Sequence, residues 1–289
     1  MNPMQNAHTR TAAVAVTALF VPGDRPERFT KAAASGADVV IVDLEDAVAP
    51  GSKEAARGAA VHALNADAAD GGIRALVRIN AAGSPNYSAD LAALLAGGIP
   101  AGLVGVMLAK AESAADVIRL RNALPAELAV IPLIESALGI REVDTLASVL
   151  GVTRLAFGAI DFAVDITAGS DDQFLAYARS RLVIASRAAG IAAPLDSPSI
   201  NIKDSGAVAA SAANARGFGF GGKLCIHPAQ LSAVAGAFQP TAEETQWARA
   251  VLAADGVAGG SALQVDGAMV DVPVVERARR ILQLAGQEQ

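Results

Sequence analysis

The chain has 289 residues, a formal net charge of −6 and a pI near 5.1, with 53% hydrophobic but only 4% aromatic residues. This length suits one large α/β domain, and the acidic balance argues against a general nucleic-acid-binding protein, which usually presents a basic face. The single cysteine, Cys225, excludes an intrachain disulfide framework and a multi-cysteine metal site. Its apolar neighbours favour a buried thiol over a nucleophile.

The N-terminal residues 1–11 are mostly polar and are predicted to form a disordered tail. The apolar run that follows is short and ends at Pro22-Gly23, so it does not resemble a signal peptide. No stretch approaches the roughly 20 apolar residues that a membrane-spanning helix needs. We therefore expect a cytoplasmic protein that binds neither membranes nor nucleic acid.

Short aliphatic runs alternate with helical segments along most of the chain. The runs predicted as strands are residues 14–21, 39–42, 74–79, 103–108, 128–134, 154–158, 191–195 and 219–225. The helices predicted between them are residues 26–35, 52–68, 89–96, 113–124, 138–150, 173–189 and 207–216, with an irregular connection at 161–172. This alternation predicts a (β/α)₈ TIM barrel, and a doubly wound open sheet is the main alternative.

The chain continues for about 50 residues beyond the predicted barrel. A helix is predicted at residues 240–254, a hairpin-like segment at 256–272 and an amphipathic helix at 273–284. The predicted organisation is therefore a tail (1–11), a barrel domain (12–239) and a C-terminal extension (240–289). We expect the extension to pack on the barrel or on a neighbouring subunit.

Two acids, Glu135 and Asp161, follow the fifth and sixth predicted strands. Neighbouring strands of a barrel end at the same face, so both carboxylates can converge on one ion. Oxygen ligands without a nearby histidine or cysteine favour a hard cation, and two acids suit Mg²⁺, which retains waters and takes substrate oxygens. The alternative is that each acid merely caps the next helix.

A further acidic cluster, Asp43, Glu45 and Asp46, follows the second predicted strand. Arg25 and Arg78 come at the ends of the first and third strands, on either side of it. Because arginine binds carboxylates through two parallel hydrogen bonds, the pair suggests a site for an anionic substrate. Alternatively, Arg78 only neutralises the acids, because structural ion pairs imitate functional sites.

Two more strand-end residues have two possible roles each. Lys110, after the fourth strand, is either a Schiff-base lysine or a counter-charge to the nearby acids, and the acids favour the second role. His227 precedes Pro228 at a predicted helix start, and its position alone suggests catalysis. No G-x-G-x-x-G opens a helix after the first strand, which lowers the case for a dinucleotide site.

Several short motifs, taken together and in order, give the chain a resemblance to the citrate lyase beta subunit family. The match runs from Ala18 to near Leu282. Its pieces are LFVPGDRPERF at residues 19–29, DLED at 43–46, VRIN at 77–80, IES at 134–136, GAID at 158–161, CIHP at 225–228 and VDGAMVDVP at 265–273.

The resemblance implies a Mg²⁺-dependent barrel enzyme of the HpcH/HpaI aldolase superfamily that forms a homotrimer or a hexamer. By position, it makes Glu135 and Asp161 the metal ligands. The other implied roles are substrate binding by Arg78, with Arg25 and Lys110, a place in the catalytic site for Glu45 and Asp46, and an acid supplied by the neighbouring subunit's tail at Asp271.

The activity implied is reversible cleavage of a 3-hydroxyacyl-CoA, such as citryl-, malyl- or citramalyl-CoA, into acetyl-CoA and a 2-oxoacid. The alternatives are a malyl-CoA thioesterase or a free hydroxy-oxoacid aldolase at the same metal site, and a non-catalytic subunit that binds CoA esters. The sequence departs from the family pattern at Ile160, where many relatives have Glu, and at Ala109, where many have Pro. Val16 and Thr17 replace a common Arg-Ser.

Overall fold

Eight parallel strands form a closed barrel in the structure, a computed structural model that describes residues 7–169, 172–258, 263–265 and 268–286. The strands are β1 (Thr17–Pro22), β2 (Val39–Asp43), β3 (Ala75–Ile79), β4 (Leu103–Leu108), β5 (Ala129–Ile134), β6 (Arg154–Phe157), β7 (Ala192–Asp196) and β8 (Gly222–Cys225). Each strand pairs with the next, and β1 also pairs with β8 through Ala18 and Leu224. That last pairing closes the barrel, so the predicted TIM barrel is confirmed and the open sheet is excluded.

Helices separate these strands along the chain. They are α1 (Ala7–Val14), α2 (Phe29–Ala33), α3 (Lys53–Asn65), α4 (Tyr87–Leu95), α5 (Ala114–Ala123), α6 (Ala137–Arg141), α7 (Val143–Ala147), α8 (Ala159–Asp165), α9 (Asp172–Ala188), α10 (Ser205–Phe218) and α11 (Leu231–Phe238). The barrel interior holds buried aliphatic side chains such as Ile41, Leu76, Met107 and Ile131. None of the described helices combines the length and the apolar composition required to span a membrane.

Helix α1 corrects the predicted tail, because residues 7–11 are helical; residues 1–6 lie outside the described part. The helix packs against β4, β5 and β7. The Arg154 side chain, at the start of β6, is fully buried and donates hydrogen bonds to the carbonyls of Ala12 (3.1 Å) and Ala15 (2.8 Å). A cation at a helix C-terminus satisfies carbonyls that the helix leaves free and opposes its dipole. Burial lowers the pKa of Arg154 to about 9, so the side chain stays charged at neutral pH.

Helix α8 corrects a second prediction, that of an irregular segment from residue 161. Residues Ala159–Asp165 are helical, and Phe162 on this helix packs against Phe157 of β6 with ring centroids 5.7 Å apart. This contact between consecutive elements fixes the first turn of the helix directly above the strand. Asp161 therefore lies in a helical turn and not in an irregular loop.

The chain divides into two compact units, Met1–Ala235 and Gly236–Gln289. The second contains α12 (Ala242–Ala258), an antiparallel pair β9 (Leu263–Val265) and β10 (Ala268–Val270), and α13 (Val272–Leu284). The strand pair agrees with the predicted hairpin, whose residues 259–262 and 266–267 lie outside the described part. Trp247 packs in this unit's core, with the Arg277 guanidinium 5.1 Å from its ring centroid.

Candidate active site at the mouth of the barrel

Five consecutive strands carry charged residues to the same end of the barrel. Asp43 ends β2, Arg78 lies one residue before the end of β3, and Lys110 follows β4. Glu135 follows β5, and Asp161 lies in the first turn of α8, directly after β6. Because the strands are parallel, their carboxyl ends form one rim, the end at which TIM barrels place their catalytic residues.

Arg78 contacts two of the acids and an aromatic ring. Its Nε and Nη2 donate to the two carboxylate oxygens of Asp43, both at 2.7 Å, and its Nη1 lies 3.2 Å from Glu45. One face of the guanidinium lies 4.8 Å from the centroid of the Phe20 ring. Burial alone would lower the pKa of Arg78, but the hydrogen bonds and charges of Asp43 and Glu45 raise it.

The pKa values of Asp43 and Glu45 shift in opposite directions although both carboxylates contact Arg78. Burial would raise the pKa of Asp43, but Arg78 and the amide N–H groups of Glu45 and Ala47 hold it below its ordinary value. Burial raises the pKa of Glu45 despite the charges of Arg78 and Lys110. The prediction that Arg78 could neutralise acids therefore holds for Asp43, while Glu45 keeps an environment that favours proton uptake.

Lys110 contacts the acids after β2 through its side chain and Glu135 after β5 through its backbone amide. Its Nζ contacts the carboxylate of Glu45 and lies 3.4 Å from that of Asp46. Its backbone has a φ of +47°, which an L-residue adopts only at a cost, and in this conformation its amide donates to Glu135 at 2.8 Å. Burial opposes the charge, but Glu45 raises the pKa of Lys110. A charged, paired lysine is a poor nucleophile, so the geometry favours the counter-charge role over the Schiff base.

Glu135 is buried, with 3% of its surface exposed, and has no ion pair within the part of the chain that the structure describes. Burial raises its pKa to about 8, and the charges of Glu45 and Asp161 act in the same direction, against Arg78 and the Lys110 amide. Gly158 makes room for it, since a Cβ at that position would lie 2.5 Å from a Glu135 carboxylate oxygen.

Glu135 does not cap the helix that follows it. The cap of α6 is Ser136, whose Oγ accepts from the Gly139 amide at 3.1 Å. Asp161 is half-buried in the first turn of α8, close enough for its charge to act on Glu135. Two such carboxylates, one buried without a cation, are suited to a hard divalent ion. No set of three His, Cys, Asp or Glu side chains in the described residues forms a metal cage, so water or substrate oxygens would complete the coordination.

Four other residues considered in the sequence have contacts of their own. Arg25 is on the exposed loop after β1, with its Nη1 3.9 Å from Glu27. His227 is exposed and caps the turn before α11, where its Nδ1 accepts from the Ala229 amide at 3.1 Å. Asp271 belongs to the second unit and accepts from the Val274 amide as the cap of α13. Cys225 is buried, and burial raises the pKa of its thiol to about 12, as expected of an inert cysteine.

A buried polar group that was not predicted lies against the DLED segment. Lys53, at the start of α3, donates a hydrogen bond to the backbone of that segment and another to the Asn80 side chain. Asn80 in turn donates to Asp90. One signal was available: a lysine in the first turn of a helix opposes the helix dipole, which favours acids there. A residue that contradicts this preference needs another partner.

Comparisons with known proteins identify the family. The chain matches the sequence model of the HpcH/HpaI aldolase/citrate lyase family over residues 17–228. It is 40% identical to the citrate lyase subunit beta-like protein of Mycobacterium tuberculosis (strain CDC 1551 / Oshkosh), over 93% of this chain and 95% of the relative.

Two further relatives are named as lyases of CoA thioesters. The chain is 32% identical to the L-malyl-CoA/beta-methylmalyl-CoA lyase of Cereibacter sphaeroides (strain ATCC 17029 / ATH 2.4.9), over 92% of this chain and 93% of the relative. It is 30% identical to the mitochondrial citramalyl-CoA lyase of Rattus norvegicus, over 92% and 85%.

Among solved structures, the M. tuberculosis CitE protein in complex with magnesium, acetoacetate and coenzyme A superposes with a TM-score of 0.82 at 38% identity. The alignment covers 95% of this chain and 99% of that one. The chain therefore belongs to the HpcH/HpaI aldolase/citrate lyase family.

Proposed function

We propose that the chain is a Mg²⁺-dependent carbon–carbon lyase. It cleaves a 3-hydroxyacyl-CoA into acetyl-CoA and a 2-oxoacid, or forms the 3-hydroxyacyl-CoA from them. The observation that carries this proposal is the buried, unpaired carboxylate of Glu135 beside the charge of Asp161 and facing Arg78. The lyase names of the relatives and the magnesium and coenzyme A in the CitE complex support it.

In this proposal Glu135 and Asp161 hold the ion. Bound Mg²⁺ would supply Lewis-acid polarisation of the oxoacid's oxygens and fix their orientation. Three of the five N–H groups of Arg78 face Asp43 and Glu45, so two remain to hold a substrate oxygen. Because Asp43 and Phe20 fix the guanidinium in place, these donors are oriented before the substrate binds.

Cleavage needs one proton removed and one delivered. Glu45, with its raised pKa, takes the proton of the substrate hydroxyl. The C–C bond then breaks to leave the carbonyl group of the 2-oxoacid on one product and a thioester enolate on the other. Asp271 protonates the enolate carbon. We place this acid on a neighbouring chain of a homotrimer or hexamer, where its exposed position at the start of α13 makes it accessible. Lys110 keeps the acidic cluster neutralised, Arg25 binds the anionic end of the substrate, and the enzyme works in the cytoplasm.

The test is a product analysis. The purified chain is incubated with Mg²⁺ and malyl-, citramalyl- or citryl-CoA, and the products are separated by chromatography. A lyase gives acetyl-CoA together with glyoxylate, pyruvate or oxaloacetate. Free CoA with an intact hydroxyacid would identify a thioesterase instead, and binding without any product would identify a non-catalytic subunit. Cleavage of a hydroxy-oxoacid without CoA would identify an aldolase.

A further inference from the structure

Lys53 is a buried lysine that binds the backbone next to a proposed catalytic acid. It starts α3, is 9% exposed, and donates from Nζ to the carbonyls of Leu44 and Glu45, both at 2.7 Å. Its third hydrogen bond goes to the side-chain oxygen of Asn80 at 3.1 Å. All three donors of the ammonium group are therefore used, and all on neutral oxygens.

Asn80, which accepts from Lys53, is itself hydrogen-bonded to Asp90. The Asn80 side-chain amide donates to the Leu44 carbonyl at 2.9 Å and to Asp90 at 2.6 Å. Asp90 is fully buried; it also accepts from the Asn80 backbone amide at 2.9 Å and lies 3.2 Å from Arg57. The rotamer of Asn80 is thus fixed from two sides, and Asn80 in turn orients Lys53.

A buried lysine at this position is unfavourable for two local reasons. A cation in the first turn of a helix opposes the helix dipole, and burying an ammonium group is unfavourable unless hydrogen bonds compensate. What the contacts hold is the Leu44-Glu45 backbone, from which the Glu45 side chain reaches Arg78 and Lys110. A small shift of this backbone would move the carboxylate away from both cations.

We propose that Lys53 is a positioning residue that holds the Glu45 carboxylate in its place between Arg78 and Lys110 by binding the two carbonyls of the Leu44-Glu45 segment. The inference rests on the proposed function for its catalytic meaning, because Glu45 is the base proposed there. Its structural part, that Lys53 fixes this segment specifically, is testable without turnover.

The experiment compares Lys53→Met, which keeps the length of the side chain but removes its donors, with Lys31→Met as the matched control on the exposed surface of α2. Hydrogen exchange by mass spectrometry follows peptides covering residues 43–48 and 130–136. Leu44, Glu45 and Ala47 all have hydrogen-bonded amides, so loosening of the first peptide is visible. Turnover and calorimetric Mg²⁺ affinity are measured on the same proteins. Lys53→Gln, whose amide keeps two N–H donors but no charge, replaces Lys53→Met if the latter does not fold.

In Lys53→Met we expect exchange in residues 43–48 to rise about tenfold, with residues 130–136 unchanged. We expect kcat to fall roughly 10- to 100-fold, as for a misplaced catalytic group, while the Mg²⁺ affinity stays within about twofold. Unchanged exchange at 43–48, or a uniform rise across the chain, would overturn the proposal, as would a kcat equal to that of Lys31→Met. If the wild-type chain turns over no CoA thioester, the proposed function fails, and the exchange data alone decide the role of Lys53.

Discussion

Two groups of buried charges differ in how completely they are neutralised. Between α9 and strands β7 and β8, one carboxylate, Asp196, is held by two cations, Lys223 at 2.8 Å and Arg179 at 3.2 Å. All three are almost fully buried. At the mouth of the barrel, carboxylates outnumber the cations that face them, and Glu135 has no ion pair within the described residues.

The difference separates a structural use of charge from a chemical one. A buried pair with its partners in place fixes the packing of neighbouring elements, and removing one partner is costly. An excess of buried carboxylate is unfavourable in the protein alone and becomes favourable when a cation binds. The excess of carboxylate at the mouth of the barrel supports the proposed cation site there, whereas the cluster behind β7 and β8 already has its cations.

The largest effect is expected from Glu135→Gln, which keeps the shape of the side chain and removes its charge. We expect Mg²⁺-dependent turnover to fall by roughly three orders of magnitude, because a Lewis-acid metal contributes several kcal/mol to the transition state. Steady-state kinetics with increasing Mg²⁺ measures it, and circular dichroism checks the fold. An active variant that is indifferent to metal would refute the assignment.

A substitution in the cluster behind β7 and β8 should reduce stability and leave turnover nearly unchanged. Lys223→Met leaves the buried Asp196 with Arg179 alone, so we expect a loss of about 3 kcal/mol in the free energy of unfolding, measured with urea. At temperatures where the variant remains folded, kcat/KM should stay within about twofold of the wild type. A variant of unchanged stability and reduced turnover would mean that the two regions do not divide their roles in this way.

The pH dependence of stability sharpens the contrast for the metal-free protein. Glu135 has an ordinary pKa of 4.5 and a folded-state pKa of about 8, so between these values the unfolded chain releases a proton that the folded chain keeps. Stability from this group is fully present below pH 4.5 and is lost as the pH rises towards 8, by a few kcal/mol at most.

Urea unfolding in a chelating buffer at pH 5.5 and 8.5 measures this loss. Glu135→Gln should lose much less stability than the wild type between these two values, and added Mg²⁺ should restore the wild type at pH 8.5. The raised pKa of Glu45 adds a loss in the same direction to both proteins, so the excess loss in the wild type reports Glu135 together with its interaction with Glu45. Equal losses in both would contradict the expected burial of a carboxylate without a cation.

The smallest effect is expected from Gly158→Ala. The added Cβ would lie 2.5 Å from a carboxylate oxygen of Glu135 and would displace that carboxylate. We expect a 10- to 100-fold weaker Mg²⁺ affinity by calorimetry, the range typical of changes beside a metal ligand. Gly217→Ala, in α10, is the control, because its Cβ would have no atom within 4 Å. Equal Mg²⁺ affinity in both variants would show that Gly158 does not shape the site.

The strands and their terminal charges could be predicted because both signals are local. Runs such as residues 39–42 have no polar interruption, and parallel topology alone places Asp43, Glu135 and Asp161 at one rim. Helix α1 could not be predicted, because a short helix is stable only through contacts elsewhere, here with Arg154 more than 130 residues away. The direction of a side chain could not be predicted from the sequence either. Arg25 points to Glu27, and Lys53 points to the backbone of the DLED segment.

The measurement that tests the central claim most directly is calorimetric titration of Mg²⁺ at pH 7 in two buffers with different ionisation enthalpies, which counts the protons released on binding. With a folded-state pKa of about 8, Glu135 is mostly protonated at this pH, and it must lose its proton to ligate the metal. We expect the wild type to release close to one proton per Mg²⁺ bound, and Glu135→Gln to bind far more weakly and release none from this position. Tight binding without proton release, or the same release from both proteins, would contradict the account.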